Sequence, residues 1–467
     1  MTFMKQINKD ILKLAIPSIL ANITVPFVGM VDIAVAGHLD TSAAVMIGGI
    51  AIGTMLFDLL YWNFGFLRVG TGGLAAQAYG RGDRRECARI FARALGIALS
   101  CAFLLIAIQW IFVKAAFLVV DCTPEVRELA SRYFFIRIWA APATLSLMAF
   151  KGWFIGMQDS VSPMAVDLVV NGMNVLMSIV LALGIDFGCL HYDGMGFPGI
   201  AAGTVVAQYS GLLTAAGIML FKYVRTTFSH LEPDDLKSLF RGGETKRFFV
   251  MNADLFVRSL CFIAIYIGFT VISARYGDVL LAVSSIMMKL LMIFSYFTDG
   301  FAYAGEALTG RHIGAKDGVM VRQTVKWTFL WSMGIALIFM LIYHFAGVPM
   351  LKMMTSDQTV VTAAQGYLPW LLLMPIIGCA AFTWDGIYIG ATASKDIRNS
   401  MLWAVVGFFL VWGAGMILLQ LLGSAASETY GRTAMHILMA AYFAHLLART
   451  LYLSLRYKSV ILSTLSS

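Results

Sequence analysis

Charged residues are scarce in this chain. Asp, Glu, Lys and Arg together make up 13% of its 467 residues, hydrophobic residues make up 60%, and the mean hydropathy is +0.80. A soluble protein of this composition would have almost no polar surface to present to water. The composition therefore excludes a soluble globular protein and predicts an integral membrane protein.

Residue patterns typical of metal and catalytic sites are also missing. The six cysteines form no C-x-x-C pair, and the seven histidines show no metal-ligand spacing. No nucleophile elbow and no ATP-binding signature occurs. We therefore expect neither an enzyme nor a bound metal or cofactor, so that any activity that needs energy would draw on an ion gradient or on a partner subunit.

Apolar stretches long enough to cross a bilayer recur about twelve times. A helix needs about 20 such residues to span roughly 30 Å of hydrocarbon. The spans, numbered 1 to 12 in chain order, are predicted at 11–36, 43–70, 88–113, 129–157, 163–184, 195–223, 247–274, 279–310, 319–347, 361–390, 398–423 and 431–456. Their length excludes an outer-membrane barrel, whose strands have about 10 residues. The predicted fold class is an all-α integral membrane protein.

Basic residues lie in alternate links between the spans. Arginines from Arg81 to Arg93 follow span 2, and basic residues from Lys222 to Arg247 follow span 6, whereas the other links hold few. Because cytoplasmic loops are enriched in Lys and Arg, these links and both termini are predicted to lie in the cytoplasm. The predicted location is the plasma (inner) membrane. The net charge of +8 reflects this bias and does not indicate nucleic-acid binding.

The chain contains an internal repeat. Residues 79–83 (YGRGD) return as 313–317 (IGAKD), and residues 153–156 (WFIG) return as 387–390 (IYIG). The shift is 234 residues in both cases (314 − 80 and 390 − 156). Two halves of equal plan are therefore predicted.

The repeat and the longest polar segment predict the domain organisation. We expect a six-helix lobe at 1–223, a cytoplasmic linker at 224–246 and a second six-helix lobe at 247–467. An even number of spans in each half predicts lobes related by a pseudo-twofold axis along the membrane normal, an arrangement that suits alternating access.

Asp32 is an ionisable residue well inside span 1. A charge at that depth costs at least about 2.5–3.5 kcal/mol on insertion scales, so such a residue usually faces a cavity or a partner. The apolar surroundings favour the neutral form, which would let Asp32 take up and release a proton at physiological pH. The alternative is a structural aspartate bonded to another helix. Pro26, six residues earlier, removes a backbone hydrogen bond and predicts a hinge.

Span 5 offers Asp32 a polar partner face. Asp167, Asn171, Asn174 and Ser178 follow the spacing i, i+4, i+7, i+11, which is one stripe of a helix. These side chains could support a proton-carrying carboxylate, coordinate a cation or join helices to each other. Asp167, near the cytoplasmic end, is expected to be a solvated end residue.

Span 8 carries a second polar stripe, which is improbable against lipid. Its members are Lys289, Tyr296, Asp299, Tyr303 and Glu306. We expect them either to line a central substrate cleft, where the acids attract a cation, or to pair internally.

Two further acids lie in the spans of the second half. Asp385 in span 10 has Trp384 and Tyr388 as near neighbours, a combination suited to organic cations. We expect Asp385 either to line the cleft or to form a salt bridge within the protein. Asp254 and Arg258 in span 7 are spaced i, i+4 and are expected to pair with each other.

Several motifs occur together along nearly the whole chain. They are Pro26, Asp32, Gly37 and His38; Trp153–Asp159 with Pro163 and Met164; Asn174; Gly194–Gly196, Gly199–Thr204 and Gln208; Asn252–Arg258; Asp299–Ala302; Trp384–Ala391; and Arg398–Met401. Jointly they resemble the multidrug and toxic-compound extrusion (MATE) family, and those of the second half resemble its DinF-like branch.

The resemblance implies a V-shaped pair of lobes that exports amphipathic, often cationic compounds in exchange for protons or sodium. By this resemblance, Asp32 matches a proton-coupling aspartate whose protonation bends span 1 at Pro26. Asn174 and Thr204 match polar residues of the same lobe. Asp385 matches a carboxylate of the NorM-like branch. Ser178 stands where well-known members have a second aspartate, and Val28 stands where a tyrosine is often found. The missing second carboxylate favours protons, with sodium left open.

A lipid-linked-glycan flippase of the same superfamily is the main alternative function. It would need a larger cationic cavity for pyrophosphate, and the acids Asp32, Asp299, Glu306 and Asp385 argue against that. The expected partners are small amphipathic substrates and the lipid bilayer, and the chain is expected to be monomeric.

Overall fold

The computed structural model covers the chain with short gaps. It describes residues 2–37, 39, 43–118, 120, 122–187, 190–232, 234–235, 239–240, 243–355, 357–421 and 429–463.

The described residues of the first half form helices and one hairpin. Its helices are α1 (Thr2–Gly37), α2 (Ala43–Trp62), α3 (Phe66–Gly80), α4 (Arg84–Ala116), α5 (Pro124–Arg137), α6 (Ala141–Gly156), α7 (Val161–Leu183) and α8 (Phe197–Ile218). Between α7 and α8, strand β1 (Ile185–Phe187) pairs antiparallel with β2 (Leu190–Tyr192), with Asp186 opposite His191.

The second half repeats the helical plan. Its helices are α9 (Gly243–Ala274), α10 (Asp278–Gly314), α11 (Gly318–Met354), α12 (Gln358–Gln365), α13 (Leu368–Gly390), α14 (Ser394–Leu421) and α15 (Tyr430–Tyr457).

Twelve helical segments of the described chain are long and apolar enough to cross a membrane, which confirms the predicted all-α membrane fold. Their outward side chains are apolar: Phe221, Leu455 and Phe345 are 93%, 81% and 78% exposed. Soluble monomers rarely expose large apolar patches. These surfaces therefore fit contact with lipid, and the protein is a multi-pass membrane protein.

Three of the predicted spans are interrupted. Span 2 breaks after Trp62, where α2 ends and the side chain of Asn63 donates to the carbonyl of Leu59 at 2.7 Å. Span 4 breaks at a 3-10 turn just before Pro142, and span 10 breaks just before Pro369. Proline has no N–H to donate and fits the first turn of a new helix. Each interruption thus has a local cause in the sequence.

The internal repeat recurs in the helix packing. In each half, two glycines of one helix lie against the backbone of another, and a Cβ atom there would overlap that backbone. The contacts, which recur with a shift of 234 residues, are Gly152 on Arg68, Gly156 on Gly72, Gly386 on Ala302 and Gly390 on Glu306. Glycine is therefore required at both helix crossings by close approach.

The chain divides into two compact units, and α1 contributes to both. The first unit is Leu20–Phe249, and the second unit is Met1–Ile19 with Val250–Ser467. The sequence prediction assigned residues 1–19 to the first lobe, whereas here Trp331 donates to the side chain of Asn8 at 2.8 Å within the second unit. Each unit has its own apolar core.

A buried carboxylate joins α7 to the end of the sixth span. One oxygen of Asp159 accepts hydrogen bonds from the side chains of Ser162 (2.5 Å), Lys222 (2.7 Å) and Tyr223 (2.7 Å). Burial opposes the ionisation of Asp159, but the bonds from Lys222, Ser162 and Tyr223 hold the pKa of its carboxyl below the ordinary 3.8.

We expect Asp159→Asn to lower the stability of the first unit by about 1–3 kcal/mol, because a charged acceptor with three side-chain donors is lost. The contribution of the carboxylate is present in full above pH 3.8 and is lost as the pH falls through its lower folded-state pKa. Thermal unfolding in detergent at neutral and acidic pH measures it. Asp186→Asn, at a side chain 74% exposed, is the matched control, and equal losses in both variants would contradict the assignment.

Candidate functional site

The predicted proton-coupling residues lie in the first unit, where α7 and α8 pack closely. Gly199 and Gly203 of α8 face the backbone of α7, and a Cβ atom on Gly203 would come within 2.6 Å of the Ser178 nitrogen. Small residues allow membrane helices to approach in this way. The close crossing brings the polar stripe of α7 next to Thr204.

Asp32 is buried and bonded across helices. Its side chain is on α1 and 7% exposed, and its Oδ1 accepts a hydrogen bond of 2.9 Å from the fully buried hydroxyl of Ser178 on α7. A second hydrogen bond joins α1 to α7, in which the Asn171 amide donates to the Thr24 hydroxyl at 2.5 Å. The carboxyl group is thus positioned by two helix contacts.

Asn174 and Thr204 form a second buried pair. The Asn174 amide donates to the Thr204 hydroxyl at 3.0 Å, and the Thr204 hydroxyl lies 3.4 Å from the Ile200 carbonyl, to which it donates. The amide oxygen of Asn174 has no hydrogen-bond partner among the described residues. Since Asn174 lies one turn before Ser178, the structure brings all four predicted residues of this group together.

The sequence interpretation overlooked Arg137, at the end of α5. Its guanidinium donates to the Tyr133 hydroxyl at 3.0 Å and lies 4.8 Å from the centre of the Phe57 ring. It also interacts electrostatically with Asp32 and Asp58. The available signal was a basic residue inside predicted span 4, directly before the break in that span.

Two other residues of this unit were given roles from the sequence. Pro26, the predicted hinge, lies within α1, which is helical on both sides of it, so the hinge stays a prediction. Asp167 forms an ion pair with Lys151. Its side chain is 21% exposed, so the expected end residue also has a cationic partner that the sequence did not indicate.

The second unit holds a buried arginine–aspartate–arginine cluster. Oδ2 of Asp385 accepts from Arg449 at 2.5 Å and from Arg258 at 2.7 Å. Asp385 is 6% exposed and Arg449 only 1%. Of the two roles expected for Asp385, the structure shows the salt-bridged one, because two guanidinium groups hold the carboxylate and leave the cluster with an excess positive charge.

The expected pairing of Asp254 with Arg258 is also wrong. Asp254 instead accepts from Arg398 at 2.6 Å and from the Ser394 hydroxyl at 2.8 Å, both on α14. A neighbouring pair on one helix contributes only about 0.2–0.5 kcal/mol. Buried tertiary partners therefore decide which charges meet.

The predicted substrate-cleft stripe lies along α10. Lys289 is exposed, Tyr296, Asp299 and Tyr303 are half-buried, and Glu306 is buried. Asp385, on α13, is directed instead to arginines of α9 and α15. The structure thus separates Asp385 from the role predicted for it with this stripe.

This chain is similar to a known protein family and to individual members of it. A family model described as MatE matches residues 17–180 and 255–412. The DNA damage-inducible protein F of Escherichia coli K12 is 34% identical over 410 residues, which are 88% of this chain and 86% of that protein. A probable multidrug resistance protein NorM of Photorhabdus laumondii is 24% identical over 86% of this chain and 85% of that protein.

Solved structures share the fold. An outward-facing multidrug resistance MATE family transporter of the MOP superfamily superposes with a TM-score of 0.83 at 15% identity, over 97% of this chain and 96% of that one. A MOP superfamily transporter from Pyrococcus furiosus, for which reverse polarity of the binding pocket suggests a different function, gives a TM-score of 0.80 at 16% identity, over 99% and 97%. The matched segments span most of both halves, and the chain belongs to the MatE family.

Proposed function

We propose that this protein is a secondary active antiporter that exports amphipathic, cationic small molecules in exchange for protons by alternating access. The observation that carries the proposal is the buried hydrogen bond between Asp32 and Ser178. It places one titratable group at a contact between two membrane helices of the first unit.

Protonation of Asp32 changes this contact. As a carboxylate, Asp32 only accepts hydrogen bonds, and the charge strengthens the bond from Ser178. As a neutral acid, it becomes a donor and loses its attraction to Arg137, with which it interacts electrostatically. Proton uptake would therefore change how α1 is held against α7, which is the kind of two-state contact that an antiporter needs.

Protons suit this group of side chains better than sodium. Around Asp32 the described helices supply two hydroxyls and an amide, from Ser178, Thr204 and Asn174, and no second carboxylate takes part in the hydrogen bonds of this group. A proton needs only the one acid, whereas a hard cation prefers several oxygen ligands. Sodium coupling is the alternative, and efflux under separate proton and sodium gradients distinguishes the two.

The substrate side of the proposal rests on α10. Asp299 and Glu306 would attract a cationic group, and Tyr296 and Tyr303 supply aromatic surface to an amphipathic molecule. We leave Asp385 out of this set because Arg258 and Arg449 already neutralise it.

One observation favours the second candidate, a lipid-linked-glycan flippase. The cluster of Asp385 with two arginines carries a positive excess in the second unit, which would suit an anionic group. The carboxylates of α10 weigh against it, so the cation exporter is our first choice.

The proposed location, orientation and oligomeric state follow from the charge pattern and from the two units. The basic links predict the plasma (inner) membrane with both termini in the cytoplasm, and we propose that the chain acts as a monomer, since each unit holds its own polar cluster.

We expect an imposed pH gradient alone to drive efflux in sodium-free buffer, because Asp32 is the one acid in its group with Ser178, Asn174 and Thr204. Purified protein in proteoliposomes loaded with a fluorescent lipophilic cation is given a proton gradient or a sodium gradient separately. A lipophilic anion of similar size serves as the control substrate. Efflux that starts only with sodium and ignores pH would overturn proton coupling, and export of the anion instead of the cation would favour the flippase reading.

A further inference from the structure

A recess in the first unit lies away from the Asp32 group. It is open to solvent, and its polar lining comes from Gln77, Arg81, Glu86, Arg93 and Arg247. These residues come from the end of α3, the link that follows it, the start of α4 and the start of α9. None of them belongs to the proposed proton or substrate groups.

Arg93 is the buried element of the recess. Its side chain is only about 2% exposed, its Nε donates to the Leu239 carbonyl at 2.9 Å, and its Nη1 donates to Glu86 at 2.7 Å. Its Nη2 has no hydrogen-bond partner among the described residues. A buried guanidinium with an unused donor is costly unless a ligand or water fills that position.

The charges of the lining favour an anion. Three arginines face one carboxylate, and that carboxylate is already bonded to Arg93 and lies 3.6 Å from Arg89. Arg81 and Arg247 are exposed at the opening, and Arg247 reaches the side chain of Gln77 at 3.4 Å. The recess thus has a buried guanidinium in its lining and two exposed arginines at its opening.

The position of the recess indicates where the anion comes from. The ends of α3, α4 and α9 that form it belong to the basic links predicted to face the cytoplasm, at the boundary between hydrocarbon and water. Headgroups of anionic phospholipids occupy that depth, and basic pockets beside membrane helices bind them.

We propose that this recess binds a phosphate group, carried by an anionic phospholipid of the cytoplasmic leaflet. Guanidinium groups bind phosphate oxygens through paired, charge-assisted hydrogen bonds. A phosphate between Arg81, Arg93 and Arg247 would tie the start of α9 to α3 and α4. Phosphate binding would thereby stabilise the first unit where the chain leaves it for the second.

The test uses delipidated full-length protein in neutral detergent. It is titrated with short-chain phosphatidylglycerol, with phosphatidylcholine of the same chain length, and with inorganic phosphate, and the midpoint of thermal unfolding is followed. We expect phosphatidylglycerol to raise the midpoint and phosphatidylcholine not to. The Arg81→Gln/Arg247→Gln double variant should bind about tenfold more weakly or worse, as loss of charge-assisted bonds predicts.

Arg225→Gln is the matched control, since Arg225 is exposed in the same basic segment and does not line the recess. A rise with inorganic phosphate that the double variant abolishes would support the phosphate site while moving its source to a free anion. Lack of binding by both probes, unchanged binding in the double variant or an equal loss in Arg225→Gln would overturn the proposal.

Discussion

Asp32→Asn is expected to fold and to lose gradient-driven efflux completely. Asparagine keeps the shape of the side chain and can still accept the hydrogen bond from Ser178, but it cannot be protonated in the relevant pH range. If Asp32 carries the exchanged proton, no remaining member of its group can replace it, because Asn174, Ser178 and Thr204 do not titrate near neutral pH. Efflux from proteoliposomes under an imposed pH gradient measures the loss.

Two further variants separate coupling from structure. Ser178→Ala removes one donor and keeps the acid, so it should retain efflux with a changed pH dependence. Asp186→Asn makes the same chemical change on the exposed hairpin and should leave efflux unchanged. Full pH-driven efflux by Asp32→Asn would show that the proton is carried elsewhere.

Asp385→Asn is expected to be the most destabilising of the substitutions considered. It removes the one carboxylate that pairs with Arg449 and Arg258 among the residues that the structure describes, and Arg449 is almost fully buried. Removing one partner of a buried ion pair typically costs about 3–5 kcal/mol, because an uncompensated charge remains. Thermal unfolding in detergent should show a large fall in the midpoint.

The second unit also provides a matched control for Asp385→Asn. Asp396 pairs with Arg456 at 3.1 Å, but the Arg456 side chain is 50% exposed and can turn to water. Asp396→Asn should therefore cost about 1 kcal/mol or less. Adding Arg449→Gln to Asp385→Asn should restore part of the lost stability by removing the excess charge. A wild-type midpoint in Asp385→Asn would contradict the structural role of the cluster.

The two halves share their packing but not their polar groups. At the shift of 234 residues that relates the glycine crossings, Ser178 and Thr204 correspond to Trp412 and Leu438, and Arg449 corresponds to Ala215. Each half has therefore kept the helix crossings and acquired its own buried chemistry. This asymmetry supports a division in which the first unit handles the proton.

Features that depend on local composition could be read from the sequence alone. Membrane character, the spans and the repeat follow from hydropathy and spacing along the chain, and the stripe that includes Asn174 and Ser178 follows from the period of one helix. Asp32 could be singled out because any charge inside an apolar span needs a reason. The breaks before Pro142 and Pro369 had local signals that the span boundaries did not use.

Partners distant in sequence were decided only by the tertiary structure. Asp254 bonds Arg398, 144 residues away, rather than Arg258 one turn away, and Asp385 is bound by Arg258 across 127 residues. Hydropathy and helical period say which residues share a face, but not which face of which helix lies opposite. That choice depends on where small residues let helices approach, as Gly203 does at Ser178, and on which buried charges must then neutralise each other.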